Sequence, residues 1–86
     1  MEKRSVLLYP KVTEKTTHAI EAENRLVFVI RPESTKEQVK RDFERVYGQK
    51  VSKVNIMRTM KGEKLAHVKL AEPGKAADLA MRLKIL

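Results

Sequence analysis

Apolar and polar positions alternate along this chain in two rhythms, and the change from one to the other marks out its elements. Residues 26–30, Leu-Val-Phe-Val-Ile, are apolar without interruption. They predict a strand buried on both faces, in the middle of a sheet with cover on each side. Arg31-Pro32 ends that strand, because proline has no N–H to give to a ladder. Further on, Val39, Phe43, Val46 and Tyr47 stand at i, i+4, i+7 and i+8, which is one face of a helix. Ser34 with Glu37 matches a capping box at its start and Gly48 supplies a stop. The opposite face carries Lys36, Lys40, Arg41, Glu44 and Arg45, read as a solvated surface.

The remaining elements fall around this pair. Residues 5–9 form a short apolar first strand closed by Pro10. Thr13 can cap a helix reaching about Ala22, with a narrow apolar stripe at Ala19 and Ile20. Residues 51–58 and 64–71 are two more strands, with Val54 and Ile56 sharing one face and Ala66, Val68 and Leu70 sharing another. Residues 59–63, including Gly62, join them as a short hairpin. After the Glu72-Pro73-Gly74 turn, Ala76, Leu79, Ala80 and Leu83 define a C-terminal amphipathic helix. The order β-α-β-α-β-β-α predicts an α/β (α+β) fold, a four-stranded, mainly antiparallel sheet with packed helices. At 86 residues this is one domain, 1–86, burying roughly 60–65% of its unfolded surface.

Charge narrows the function. Nineteen Lys and Arg against eleven Asp and Glu give a formal +8. That excess attracts polyanions, nucleic acid first and an anionic membrane surface second. The surplus is uneven: four bases and two acids in residues 1–20, seven and six in 21–50, eight and three in 51–86. Two concentrations stand out. Arg58, Lys61 and Lys64 crowd the hairpin beside Lys69, opposed only by Glu63, and read as a phosphate-binding cluster. Pro10-Lys11-Val12-Thr13-Glu14-Lys15 lies where a strand gives way to a helix N-terminus, where backbone N–H groups and lysines can converge on one phosphate. An ordinary helix cap accounts for Thr13 and Glu14 equally well.

Other chemistry is excluded residue by residue. The absence of cysteine removes disulfides, a thiolate zinc site and a Cys nucleophile. His18 and His67 each lack a second ligand at metal spacing, and no Ser, His and carboxylate set suggests a triad, so neither a catalytic residue, a metal nor a cofactor is expected. No Gly-rich nucleotide loop occurs. The apolar runs fall far short of the roughly 20 residues of a membrane span, and a soluble intracellular protein is the expectation. Phe28, Phe43, Tyr9 and Tyr47 are the only aromatic residues, and at least two belong to the core. Recognition by base stacking needs exposed rings, so binding through phosphates and RNA shape is what the composition favours.

The ordered set Pro10-Lys11-Val12-Thr13-Glu14-Lys15, Asn24-Arg25-Leu26-Val27-Phe28-Val29, Thr35-Lys36-Glu37, residues 51–55 and Lys61-Gly62-Glu63-Lys64 resembles the large ribosomal subunit protein twenty-three family over nearly the whole chain. The resemblance implies the same fold order and a structural, non-enzymatic protein of the cytoplasmic ribosome. It implies binding to large-subunit ribosomal RNA (rRNA) at the rim of the polypeptide exit tunnel. The implied partners are a neighbouring small helical ribosomal protein, the signal recognition particle, nascent-chain factors and, through the ribosome, the protein-conducting channel.

Glu14 matches a factor-docking position, and Lys11, Thr13 and Lys15 match the RNA-facing turn. With the basic positions read above, the candidate RNA-binding set is Lys3, Arg4, Lys11, Thr13, Lys15, Arg25, Arg58, Lys61, Lys64 and Lys69. The hairpin is shorter than the tunnel-entering loop of bacterial members, and the basic N-terminal extension of eukaryotic members is missing, so the chain resembles the archaeal type. Two other readings compete. A free-standing basic RNA-binding module would show exposed aromatics on its sheet, and an acylphosphatase-like enzyme would need a Gly-rich anion loop with a positioned Arg and Asn.

Overall fold

A computed structural model of the chain describes residues 5–85. The elements follow in the expected order: β1 (Leu7–Pro10), α1 (Glu14–Glu23), β2 (Arg25–Ile30), α2 (Lys36–Tyr47), β3 (Val51–Arg58), β4 (Lys64–Leu70) and α3 (Lys75–Arg82). The strands form one sheet in the order β1-β2-β4-β3, and every neighbouring pair is antiparallel. β4 therefore fills the space between β2 and β3, and the β2-α2-β3 connection is a split crossover.

All three helices contribute to one core on one side of the sheet. Ile20 of α1, Val39 and Phe43 of α2, and Ala76, Leu79 and Ala80 of α3 cluster with Leu26, Phe28 and Ile30 of β2 and with Ala66, Val68 and Leu70 of β4. Phe28, Phe43 and Tyr47 form its aromatic centre, with Phe28 edge-on to Phe43 at 5.9 Å and Phe43 tilted against Tyr47 at 4.8 Å. Both faces of β2 are buried, as expected, although the second face carries only a small cluster of its own. Val27 and Val29, 3% and 5% exposed, point away from the main core and cluster with Leu65, and the flank of α1 borders Val27. β2 is central because β1 and β4 flank it, and an antiparallel sheet can leave one face without helices.

Two element ends also differ from the sequence reading. The capping box of α2 sits one residue later, at Thr35 and Gln38, with each side chain accepting a hydrogen bond from the other's backbone N–H at 3.2 and 3.1 Å. Ser34 is buried, and its own N–H donates to the Arg31 carbonyl, so it belongs to the preceding turn. β1 runs through Pro10, which an edge strand tolerates.

Asn24 joins four elements. It ends α1 in the left-handed conformation, at φ 55°, with its N–H donating to the Ala19 carbonyl. Its side-chain nitrogen donates to the Leu70 and Glu72 carbonyls at 3.1 and 2.7 Å. Its side-chain oxygen accepts from the Ala76 N–H at 2.9 Å, supplying the N-terminus of α3 with a cap that Gly74 has no side chain to give. Asn24→Ala should lower the unfolding free energy by about 2–4 kcal/mol, because three hydrogen bonds disappear and alanine is strained in the left-handed region. Asn24→Gly should recover about 1 kcal/mol of that deficit. Urea denaturation measures both, and a glycine variant as stable as the parent would show that the amide contributes nothing.

Candidate nucleic-acid interface

Strand alternation decides what the helix-free face presents. Turning Val54, Val68 and Leu26 to the core turns Lys53, Lys69 and Arg25 to the other side. The register places these three in one row, Arg25 opposite Lys69 and Lys69 opposite Lys53. The next row is Val27, His67 and Asn55. The row beyond it is apolar, with Tyr9, Val29, Leu65 and Met57. Like charges directly opposite one another across a sheet oppose pairing. Among the described residues Lys53 and Lys69 make no ion pair, and both are exposed.

The two basic turns singled out in the sequence meet in space. Lys11 Nζ donates to Glu63 Oε1 at 2.9 Å, which ties the β1-α1 turn to the β3-β4 hairpin across 52 positions of sequence. Hydrogen bonding to Lys11 holds the Glu63 carboxyl below its ordinary range against the opposing effect of burial, with the charges of Lys11 and Lys61 adding to it. The same hydrogen bond raises the Lys11 ammonium. The hairpin is closed by Thr59, whose N–H donates to the Glu63 carbonyl and whose hydroxyl accepts from the Glu63 N–H. Gly62 turns the chain there at φ 90°.

The remaining candidates separate by what they already hold. Thr13 caps α1, its hydroxyl accepting from the Thr16 N–H at 3.1 Å. Lys64 Nζ donates to the carbonyls of Pro32 and Ser34 at 2.7 and 3.0 Å, anchoring the hairpin base to the loop before α2. Lys15, Arg58 and Lys61 are exposed and without an ion pair among the described residues. Glu14 is exposed in the first turn of α1. Lys3 and Arg4 lie outside the described residues. Reasoning from clusters along the sequence misses Lys53, which has only Lys50 near it and falls outside both basic turns. Pairing 51–58 against 64–70 with their core faces aligned reveals it.

A cleft of about 320 Å³ opens where α1 meets the helix-free face, between Lys15, His18, Ala19 and Glu23 of α1 and Arg25, Val27 and His67 of the sheet. Arg25 Nε lies 3.3 Å from Glu23 Oε1, an ion contact whose N–H is not aligned for a hydrogen bond. Nδ1 of His67 is buried without a partner among the described residues. Burial, and secondarily the Arg25 charge, lower the His67 pKa, so its ring is neutral at pH 7. Among the described residues no group of three metal-ligating side chains comes together.

The family model for ribosomal protein L23 matches residues 5–79. The chain is 40% identical over 85 residues to the large ribosomal subunit protein uL23 of Methanothermobacter thermautotrophicus, covering 99% of both sequences. It is 38% identical over 85 residues to the uL23 of Methanobrevibacter smithii, again covering 99% of both.

The Lys11–Glu63 contact makes stability depend on pH with a defined sign. A carboxyl whose folded pKa is lowered stabilises fully above its unfolded pKa, and loses that contribution as pH falls through the folded value. A raised lysine stabilises fully below its unfolded pKa and loses the contribution as pH rises through the folded value. Glu63→Gln should therefore flatten both the acid and the alkaline decline of the urea midpoint. Declines as steep as the parent's would show that the contact adds no stability.

Proposed function

The chain belongs to the ribosomal protein L23 family, and we propose that it grips folded large-subunit rRNA through the helix-free sheet face and the basic turns beside it. Membership makes it a structural constituent of the large ribosomal subunit, of archaeal type, and not an enzyme. The observation that carries the RNA reading is the row Arg25, Lys69, Lys53. Lys69 faces Lys53 with no ion pair for either among the described residues, and Arg25, held against Glu23, continues the row. Phosphates laid along it relieve the repulsion of the two lysines while releasing counterions.

Lys15, Arg58 and Lys61 extend the positive surface toward the turns. Lys11, Thr13 and Lys64 shape those turns through the bonds described above, and Lys11 and Lys64 add their charge. Phe28, Phe43 and Tyr47 pack on one another. Tyr9, 52% exposed, is the aromatic ring left for a ligand. Recognition through phosphates and shape fits this shortage of stacking surface.

The finer reading sets the protein at the rim of the polypeptide exit tunnel, against a small helical ribosomal protein. The signal recognition particle and nascent-chain factors dock there, and the protein-conducting channel engages through the ribosome. Glu14 supports that role as an exposed acid on a helix start beside a basic surface, free to meet a basic partner. The short 59–63 hairpin suits a position at the rim rather than inside the tunnel.

Binding to a folded large-subunit rRNA fragment should weaken steeply with salt, with a slope equivalent to roughly four to eight phosphates. Replacing Lys53 and Lys69 together by Gln should lower the slope by about 0.9 for each duplex phosphate no longer neutralised, while thermal stability is maintained or rises as their mutual repulsion is removed. An unchanged slope would remove the sheet face from the interface. Glu14→Lys should leave RNA affinity within about twofold and weaken ribosome binding by the signal recognition particle about tenfold, a 1.4 kcal/mol effect. Abolished RNA binding instead would overturn that division of roles.

A further inference from the structure

We infer that the cleft between α1 and the helix-free sheet face receives one unpaired nucleobase of the bound RNA, with guanine the best match. The inference rests on the rRNA reading above and adds a base-specific contact to its phosphate contacts. The cleft has the lining that a base requires. Ala19 and Val27 supply apolar walls, His18 and His67 supply flat rings, and Glu23 and Arg25 place an acceptor and a donor 3.3 Å apart. At about 320 Å³ it falls at the small end of the roughly 300–1,000 Å³ that ligand sites span.

Two polar atoms within it are unsatisfied. Arg25 Nε and His67 Nδ1 are buried and make no hydrogen bond among the described residues. Buried polar groups in native proteins are nearly always paired, and a small shift of the cleft side chains on binding would give both atoms a partner.

The lining mixes charges, Lys15 and Arg25 with the acid Glu23, and such a mixture suits a base better than a phosphate. Glu23 would repel an oxyanion, and His67, with Arg25 and Glu23 as its charged neighbours, is held neutral by burial. A base has both donors and acceptors on its edges. Guanine offers O6 and N7 as acceptors to Arg25, the commonest specific pairing for that side chain. Its N1–H and amino group can donate to the Glu23 carboxylate. Position agrees as well, since Arg25 belongs both to the cleft and to the basic row. A strand whose phosphates follow Lys69 and Lys53 runs past the mouth of the cleft.

The test uses the full chain on the folded rRNA fragment, with kethoxal, which modifies the exposed N1 and N2 edge of unpaired guanine, as the footprinting probe. The parent protein should protect one unpaired guanine. Ala19→Leu, which fills the cleft and changes no charge, should restore that guanine's reactivity and weaken binding about tenfold while leaving the salt slope unchanged. His67→Gln, which keeps a polar group but removes the ring, should do the same, and it covers the case in which leucine disturbs α1. Protection that persists in both variants, or no guanine protected by the parent, would overturn the inference and leave phosphate binding standing. So would a slope reduced by the equivalent of about one phosphate with guanine reactivity unaltered, which would mean a phosphate in the cleft. A parent protein that binds no RNA would remove the rRNA reading itself.

Discussion

Asn24 holds the fold and the interface in one geometry. Its left-handed backbone lets the chain leave α1 and enter β2 without a loop, and its backbone and side chain then bond both the N–H and the carbonyl of Leu70. That pair of hydrogen bonds fixes how the start of β2 meets the end of β4. Arg25, one residue later, consequently falls opposite Lys69, one residue earlier, and the basic row follows from the junction. The same amide starts α3, so the helix that closes the core and the basic row proposed to meet RNA share one support. Glycine could adopt the backbone angle, and aspartate could cap α3. Only asparagine among the short side chains both accepts from Ala76 and donates to the two carbonyls.

A chain this short gains most by gathering its helices on one side. The aromatic group of Phe28, Phe43 and Tyr47 sits where α2 crosses the middle of the sheet, and the small residues Ala66, Ala76 and Ala80 let strand and helix backbones approach it. One-sided packing leaves the opposite face to be covered by its own side chains or by a partner. That face is graded, basic at the Arg25 row, polar at the His67 row and apolar at the Tyr9 row. The gradient gives a polyanion one favoured end, which a uniformly basic surface would not.

Much of this is legible in the sequence wherever the signal is local. The apolar periods locate all seven elements, and they identify the core faces of β3, β4 and α3 and that of α2 except for Val46, which lies at the edge of the stripe and is exposed. The start of α2 comes out one residue early because Ser34/Glu37 and Thr35/Gln38 both match the capping pattern. Burial of Ser34, which depends on tertiary packing, decides between them. The interface is legible only in part for the same reason. Clusters of bases along the chain point to the two turns, yet the Lys11–Glu63 contact and the Lys53–Lys69 register join residues far apart in sequence. Both depend on which strands are neighbours, and the split crossover hides that from any window of consecutive residues.

The basic residues accordingly divide by what they do in the free protein. Lys11 and Lys64 are engaged, one on a carboxylate and the other on two carbonyls, and they stabilise the turns whether or not RNA is present. Lys53 and Lys69 have no such partner among the described residues and face each other, so in the absence of a ligand they oppose the pairing of β3 with β4. A polyanion on the proposed row would cancel this repulsion only in the folded state, where the register brings the two lysines together, and would so stabilise the fold as it binds. Electrostatic strain in the free sheet and affinity for the polyanion are then two aspects of one interaction. The bases that destabilise the isolated domain are those proposed to gain most from contact with rRNA.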